Sequence, residues 1–180
     1  MSEKAQQSKT KKDDWRSPAR LLDPILLHDN IDTDPCADPD RQFARINHTE
    51  ADNGLSRPWE GVAFVNNPFS EKVRWAEEVE ARFKSGEIDR AYLVSPDSTS
   101  HQSFWHQYVV PNCSVSWFPE GRVKYLDESG EEAGSPSFGS AVSVFGTPPL
   151  SLVKAWRERG DVVIRPQHLD GSELKKYAEL

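Results

Sequence analysis

An α/β fold, with a mainly parallel sheet, an antiparallel addition and flanking helices, is what this sequence predicts. Three observations carry the prediction. Val62-Ala63-Phe64-Val65 and Ala91-Tyr92-Leu93-Val94 are short, wholly apolar runs, the pattern of strands buried on both faces of a parallel sheet. Between them, Ser70 to about Gly86 has the periodicity of an amphipathic helix. Beyond Cys113, strand-like segments follow one another in hairpin-like succession, which points to antiparallel pairing.

The chain has 180 residues, 36% of them hydrophobic, with 6 Trp, 8 Phe and 4 Tyr, enough for one domain with a substantial core. Its formal net charge of -7 excludes a uniformly basic surface, so any contact with nucleic acid must come from a local basic face. Cys36 and Cys113 have no paired CxxC spacing, which gives structural zinc no support, and reduced thiols are the simpler reading. The first residues lack the apolar core of a signal peptide and no segment is long enough to span a bilayer. A cytoplasmic protein is expected, in the host cytoplasm if the chain is viral.

In chain order, residues 1–14 are expected to be a disordered polar tail, 15–168 the folded domain and 169–180 a charged C-terminal tail. Ser17 suits an N-cap and Pro18 a first helical position, with Leu21, Leu22, Ile25 and Leu26 at helical spacing and Pro24 marking a kink or restart. Ile31 to Asp34 is a brief strand ending at an acid, followed by a turn with two prolines. Thr49 to Leu55 is a loop turned at Asn53-Gly54. Ser70 caps the amphipathic helix, whose apolar face is Val73, Ala76, Val79 and Phe83 and whose charges are a solvated face. Ser100 to Tyr108 is helical. Cys113 to Phe118, Arg122 to Leu126 and Ala141 to Gly146 are strands. A polar loop spans Asp127 to Ser137, a helix runs from Leu150 to Arg159, and Val162 to Ile164 is the last strand.

There is no G-x-G-x-x-G and no G-x-x-x-x-G-K-[ST], so dinucleotide and triphosphate binding have no motif. Ligands of open α/β sheets bind beyond the carboxyl ends of the strands. Two such ends carry polar groups. The first is Asp34, an acid able to hold a nucleoside or an amino group. The second is the loop Asn66-Asn67-Pro68-Phe69 after the apolar run. The exocyclic N6 amine of adenine is a poor nucleophile because its lone pair is delocalised into the ring. Hydrogen bonds accepted from both of its hydrogens localise that pair. Asn66 offers a side-chain oxygen for one, the Asn67 carbonyl an acceptor for the other, and Phe69 a ring on which an unstacked base can rest. No titrating base is required.

With those residues in view, the chain resembles the phage-type DNA N6-adenine methyltransferases (Dam-like). The resemblance runs from about Trp15 to Gly146 through Trp15-Arg16-Ser17-Pro18, Asp34-Pro35-Cys36-Ala37, Asp52-Asn53-Gly54-Leu55 with Trp59, the Asn66 to Ser70 loop, Trp105-His106, Gly121-Arg122-Val123-Lys124-Tyr125 and Phe138-Gly139-Ser140-Ala141. It implies a Rossmann-like methyltransferase fold, S-adenosylmethionine as methyl donor and adenine in double-stranded DNA as acceptor. By position it implies Ser17, Pro18, Asp34, Pro35, Ala37 and Asp52 at the cofactor and Asn66, Asn67, Pro68 and Phe69 as the catalytic loop. Arg122 and Lys124 are candidate phosphate contacts, set against an exposed strand face. One departure stands out. The family loop is Asn or Asp, Pro, Pro, then Tyr or Phe, and here its first proline is Asn67. The alternative alignment makes Asn67 the catalytic amide and deletes one proline; the alignment on Asn66 preserves loop length.

Overall fold

In a computed structural model, residues 16–97, 103–127, 129–133 and 137–180 are described. The predicted N-terminal tail, Trp15, His101 and parts of the 127–137 loop lie outside them. Helix α1 (Ala19–His28) leads to β1 (Thr33–Asp34) and β2 (Ile46–Asn47), then β3 (Val62–Val65), α2 (Lys72–Ser85) and β4 (Arg90–Pro96). β5 (Cys113–Pro119), β6 (Ser140–Phe145), α3 (Leu150–Arg157), β7 (Gly160–Ile164) and α4 (Gly171–Ala178) complete the fold.

All seven strands join one sheet in the order β2-β1-β3-β4-β6-β5-β7. β1, β2, β3 and β4 are mutually parallel, whereas β4–β6, β6–β5 and β5–β7 are antiparallel. The sheet is therefore evenly mixed rather than mainly parallel. β6 enters between β4 and β5, and its six register pairs with β4 exceed the four between β3 and β4.

The pleat explains the wholly apolar runs. Val62, Phe64, Tyr92 and Val94 face one core with Leu21, Leu22 and Ile25 of α1 and Leu152, Val153 and Trp156 of α3. Ala63, Val65, Ala91 and Leu93 face a second core with Trp75, Ala76 and Val79 of α2. Helices cover both faces, so every residue of β3 is buried. On the first face, Trp117 and Trp156 stack at 5.1 Å with their planes 7° apart.

At the opposite edge from the strand ends that matter below, the Asp29 carboxylate at the end of α1 takes Arg90 Nε at 2.9 Å and Nη2 at 3.0 Å, and Tyr92 donates its hydroxyl to it at 2.5 Å. Arg90 Nη1 also donates to the Thr147 carbonyl at 2.6 Å. One half-buried fork thus ties α1, β4 and the β6–α3 connection together. Burial, with the Asp29 charge beside it, holds the Tyr92 hydroxyl well above the usual phenol range.

Several expectations are corrected. Pro18, in extended geometry, is the residue before α1, and α1 continues through Pro24 without restarting. A 3₁₀ turn, Phe69–Glu71, precedes α2, so Ser70 lies inside that turn rather than capping the helix. Val73 is 45% exposed, while Trp75 and Arg82 take buried places on α2. Trp105–Val109 is a π-helical turn in which Val110 N–H donates to the Trp105 carbonyl at 2.8 Å. Arg122 to Leu126 is no strand; only Leu126 bridges, to Arg16 and Glu132. The segment expected as a charged tail holds α4, capped by Asp170 and Glu173 in a reciprocal box and anchored by buried Tyr177. Among the described residues no helix is long and apolar enough to cross a membrane.

Candidate active site

From β1 the chain passes to β2 on one side, and from β3 to β4 on the other, so the sheet order reverses between β1 and β3. That is the switch point at which open α/β sheets bind ligands. A cleft of about 1160 Å³ opens there. Asp34, the last residue of β1, and Asn66, the first beyond β3, both line it.

The Asp34 side chain is formed into an Asx turn, its Oδ1 accepting from Cys36 N–H at 3.0 Å. Only 4% of the residue is exposed. Burial, reinforced by the nearby Asp38 charge and opposed by the Cys36 N–H, pushes its carboxyl up to about 7. The folded value exceeds the unfolded one, so the stability this group contributes is fully present below about 3.8 and is lost as pH rises through about 7. The ligand-free protein is expected to lose thermal stability over that interval, and Asp34→Asn to flatten the loss. Superimposable pH–melting curves of the two proteins would sink this assignment.

The cleft wall beyond Asp34 depends on a close approach. A Cβ at Gly54 would sit 2.0 Å from the Pro35 carbonyl oxygen, so only glycine lets the Asn53-Gly54 turn pack on the Asp34-Pro35 loop. Asn53 takes the left-handed φ of 55° that makes the turn. Behind it, Trp59 Nε1 donates to the Gly54 carbonyl at 2.9 Å, and the Arg82 guanidinium lies 4.4 Å from the Trp59 ring centroid. Arg82 also donates to the Leu55 carbonyl at 2.9 Å and pairs with Glu78 and Glu87. Its planar fork explains why a cation read as solvated is 8% exposed: each of its three guanidinium nitrogens has an acceptor. Gly54→Ala is expected to destabilise the fold by about 1–3 kcal/mol through overpacking and to open the cleft wall. Denaturant unfolding checks the first effect, and a wild-type unfolding curve would contradict it.

The cleft gathers Ser17, Asp34, Pro35, Ala37, Asn66 and Pro68 of the residues singled out from the sequence. The Ser17 carbonyl accepts from Arg41 at 3.0 Å, and Arg16 pairs with Asp38 and Asp40 at the rim. Pro18, Asp52, Asn67 and Phe69 are not on its wall. Asp52 instead accepts from the Thr49 hydroxyl at 2.7 Å and the Thr49 N–H at 2.8 Å, contacts that hold its carboxyl below the usual range. Asn67 is turned inward and 4% exposed. Phe69 stands edge-on to Tyr125 and Phe138, with ring centroids 5.8 and 5.6 Å away. Arg122 is exposed, and Lys124 pairs with Glu132 at 2.8 Å, which reduces its availability to a phosphate. The apolar lining was not legible in advance: Leu22, Phe43, Phe64 and Trp75 come from four separate segments. Cys36 and Cys113 are free thiols, and among the described residues no cluster of His, Cys, Asp and Glu could hold a metal.

A comparison with curated proteins finds no match. The family model for DNA N-6-adenine-methyltransferase (Dam) matches residues 4–166. The chain belongs to the DNA N-6-adenine-methyltransferase (Dam) family.

Proposed function

We propose that this protein methylates the exocyclic N6 of an adenine rotated out of double-stranded DNA, with S-adenosylmethionine as donor. The observation that carries the reading is the pairing at one switch point of a buried acid, Asp34, with a side-chain amide, Asn66, at the mouth of the same cleft. The fold is a Rossmann-like methyltransferase fold in this reading. Its mixed sheet with helices on both faces is compatible with that.

The donor set fits the cofactor. A buried carboxyl suits the amino group of a zwitterionic, sulfonium-bearing ligand, and the apolar lining residues Phe43, Phe64 and Trp75 suit an adenosine. Asp34, Ser17, Pro35 and Ala37 would hold it. When bound, S-adenosylmethionine supplies an electrophilic methyl group. Because a cationic neighbour favours ionised Asp34, binding releases a proton, and affinity rises with pH up to about 7.

For the acceptor, Asn66 Oδ1 and the Asn67 carbonyl take the two N6 hydrogens and localise the lone pair for attack. Proline at 68 biases Asn67 to extended geometry, which helps aim that carbonyl. Phe69, braced by Tyr125 and Phe138, supports the base. The methylated amine is strongly acidic and gives its proton to water, so no side-chain base is needed. DNA contact falls to a local face: Lys72 and exposed Arg74, two cations directly after the loop, join Arg122 as phosphate partners.

Purified protein with labelled S-adenosylmethionine should label duplex DNA containing adenine and leave RNA unlabelled. Asn67, where the family has proline, favours a second reading, a binding relative with weak or no transfer. Calorimetric binding of cofactor and DNA without transfer to any duplex would establish that reading instead.

A further inference from the structure

We propose that Asn67 is a positioning residue whose buried side-chain amide does by hydrogen bonding what a proline ring does in the family loop: it aims the Asn67 carbonyl. The inference rests on the reading above. Asn67 Nδ2 donates to the carbonyl of the next residue, Pro68, at 3.0 Å. That contact closes a ring through Cβ, Cα and the 67–68 peptide to the Pro68 carbonyl. Four backbone torsions lie inside it: ψ of Asn67, the peptide torsion, and φ and ψ of Pro68. The peptide is trans, the proline ring holds φ, here -54°, and ψ of Pro68 is 121°. With φ of Pro68 and the peptide fixed, the bridge ties ψ of Asn67 to ψ of Pro68 and to the two side-chain torsions of Asn67, and the Asn67 carbonyl turns with the first of these. A proline at 67 would act from the other side, by fixing φ.

The rest of the side chain argues against a purely stabilising role. Among the described residues, buried Asn67 Oδ1 has no hydrogen-bond partner, a state that buried acceptors otherwise avoid. A residue kept for packing alone would do better as an apolar one of similar size. Its inward direction also separates it from Asn66, which lines the cleft.

The test is steady-state transfer of labelled methyl groups to unmethylated genomic DNA by the wild type, Asn67→Ala, Asn67→Asp and Asn67→Pro, with a thermal midpoint for each. Asn67→Ala is expected to lower kcat by roughly 10- to 100-fold, the scale of a misaimed reacting group. The KM for S-adenosylmethionine and the thermal midpoint should not fall with it. Asn67→Asp, which cannot donate to the Pro68 carbonyl, should resemble Asn67→Ala. Asn67→Pro should recover most of the lost rate. Wild-type kcat in Asn67→Ala, or a loss matched by a lower midpoint, overturns the proposal. Asn67→Pro as inactive as Asn67→Ala overturns it too, by making Asn67 the catalytic amide. A wild type that transfers nothing to any DNA overturns the underlying reading, and is recognised from that arm alone.

Discussion

If Asn66 is the catalytic amide, Asn66→Ala is expected to lower the rate of methyl transfer by roughly 100- to 1000-fold, the usual consequence of removing one preorganised partner from a developing charge. Asn66 follows β3, whose four residues are all buried, so the strand delivers its amide to the cleft with little freedom. Alanine at this half-buried position removes the oxygen without opening a core cavity, so the thermal midpoint should stay close to that of the wild type. The rate assay and a melting curve together decide it. Transfer that survives Asn66→Ala but fails in both Asn67→Ala and Asn67→Pro would shift the catalytic amide one residue along.

Asp29→Ala is expected to destabilise the fold by about 3 kcal/mol, because it leaves the half-buried Arg90 fork and the Tyr92 hydroxyl without their shared acceptor. Asp29 and Arg90 side chains are only 10% and 21% exposed, so water replaces little of what is lost. Asp29→Asn should cost less, since the amide oxygen still accepts from Tyr92. Urea unfolding measures both. A loss below about 1 kcal/mol would place this pair with solvent-exposed ion pairs and refute the account of how α1 is fastened to β4.

What could be read from the sequence follows from which forces leave a local trace. β3 and β4 were legible because burial on both faces writes continuous apolar runs, and β5 and β6 because their apolar residues are interrupted only by buried serines. β2, two half-buried residues, writes none. Arg122 to Leu126 alternates because Val123 and Tyr125 are buried and Arg122 and Lys124 exposed, yet alternation records burial and not strand pairing. The even mixture of pairings comes from β6 inserting between β4 and β5, a long-range choice with no local mark. α4 did leave a signal, Asp170 three residues ahead of Glu173, but its charges outweighed it.

Two residues singled out by type and by their place at strand ends, Asp34 at the end of β1 and Asn66 after β3, line one cleft. Asp52 is off the cleft wall and its carboxylate accepts from Thr49, three residues back, since an acid at that spacing makes a capping box as readily as a ligand contact. The cleft's apolar side and the Arg82–Trp59 brace behind Gly54 depend on residues brought together only by folding.

The most direct test of the central claim is sequencing-based mapping of N6-methyladenine in DNA from cells that express the protein, with Asn66→Ala as the control. The account predicts new N6-methyladenine in the wild-type sample, confined to one recurrent sequence, and background levels in the Asn66→Ala sample. Equal N6-methyladenine in both samples, or none above background in the wild type, would contradict it.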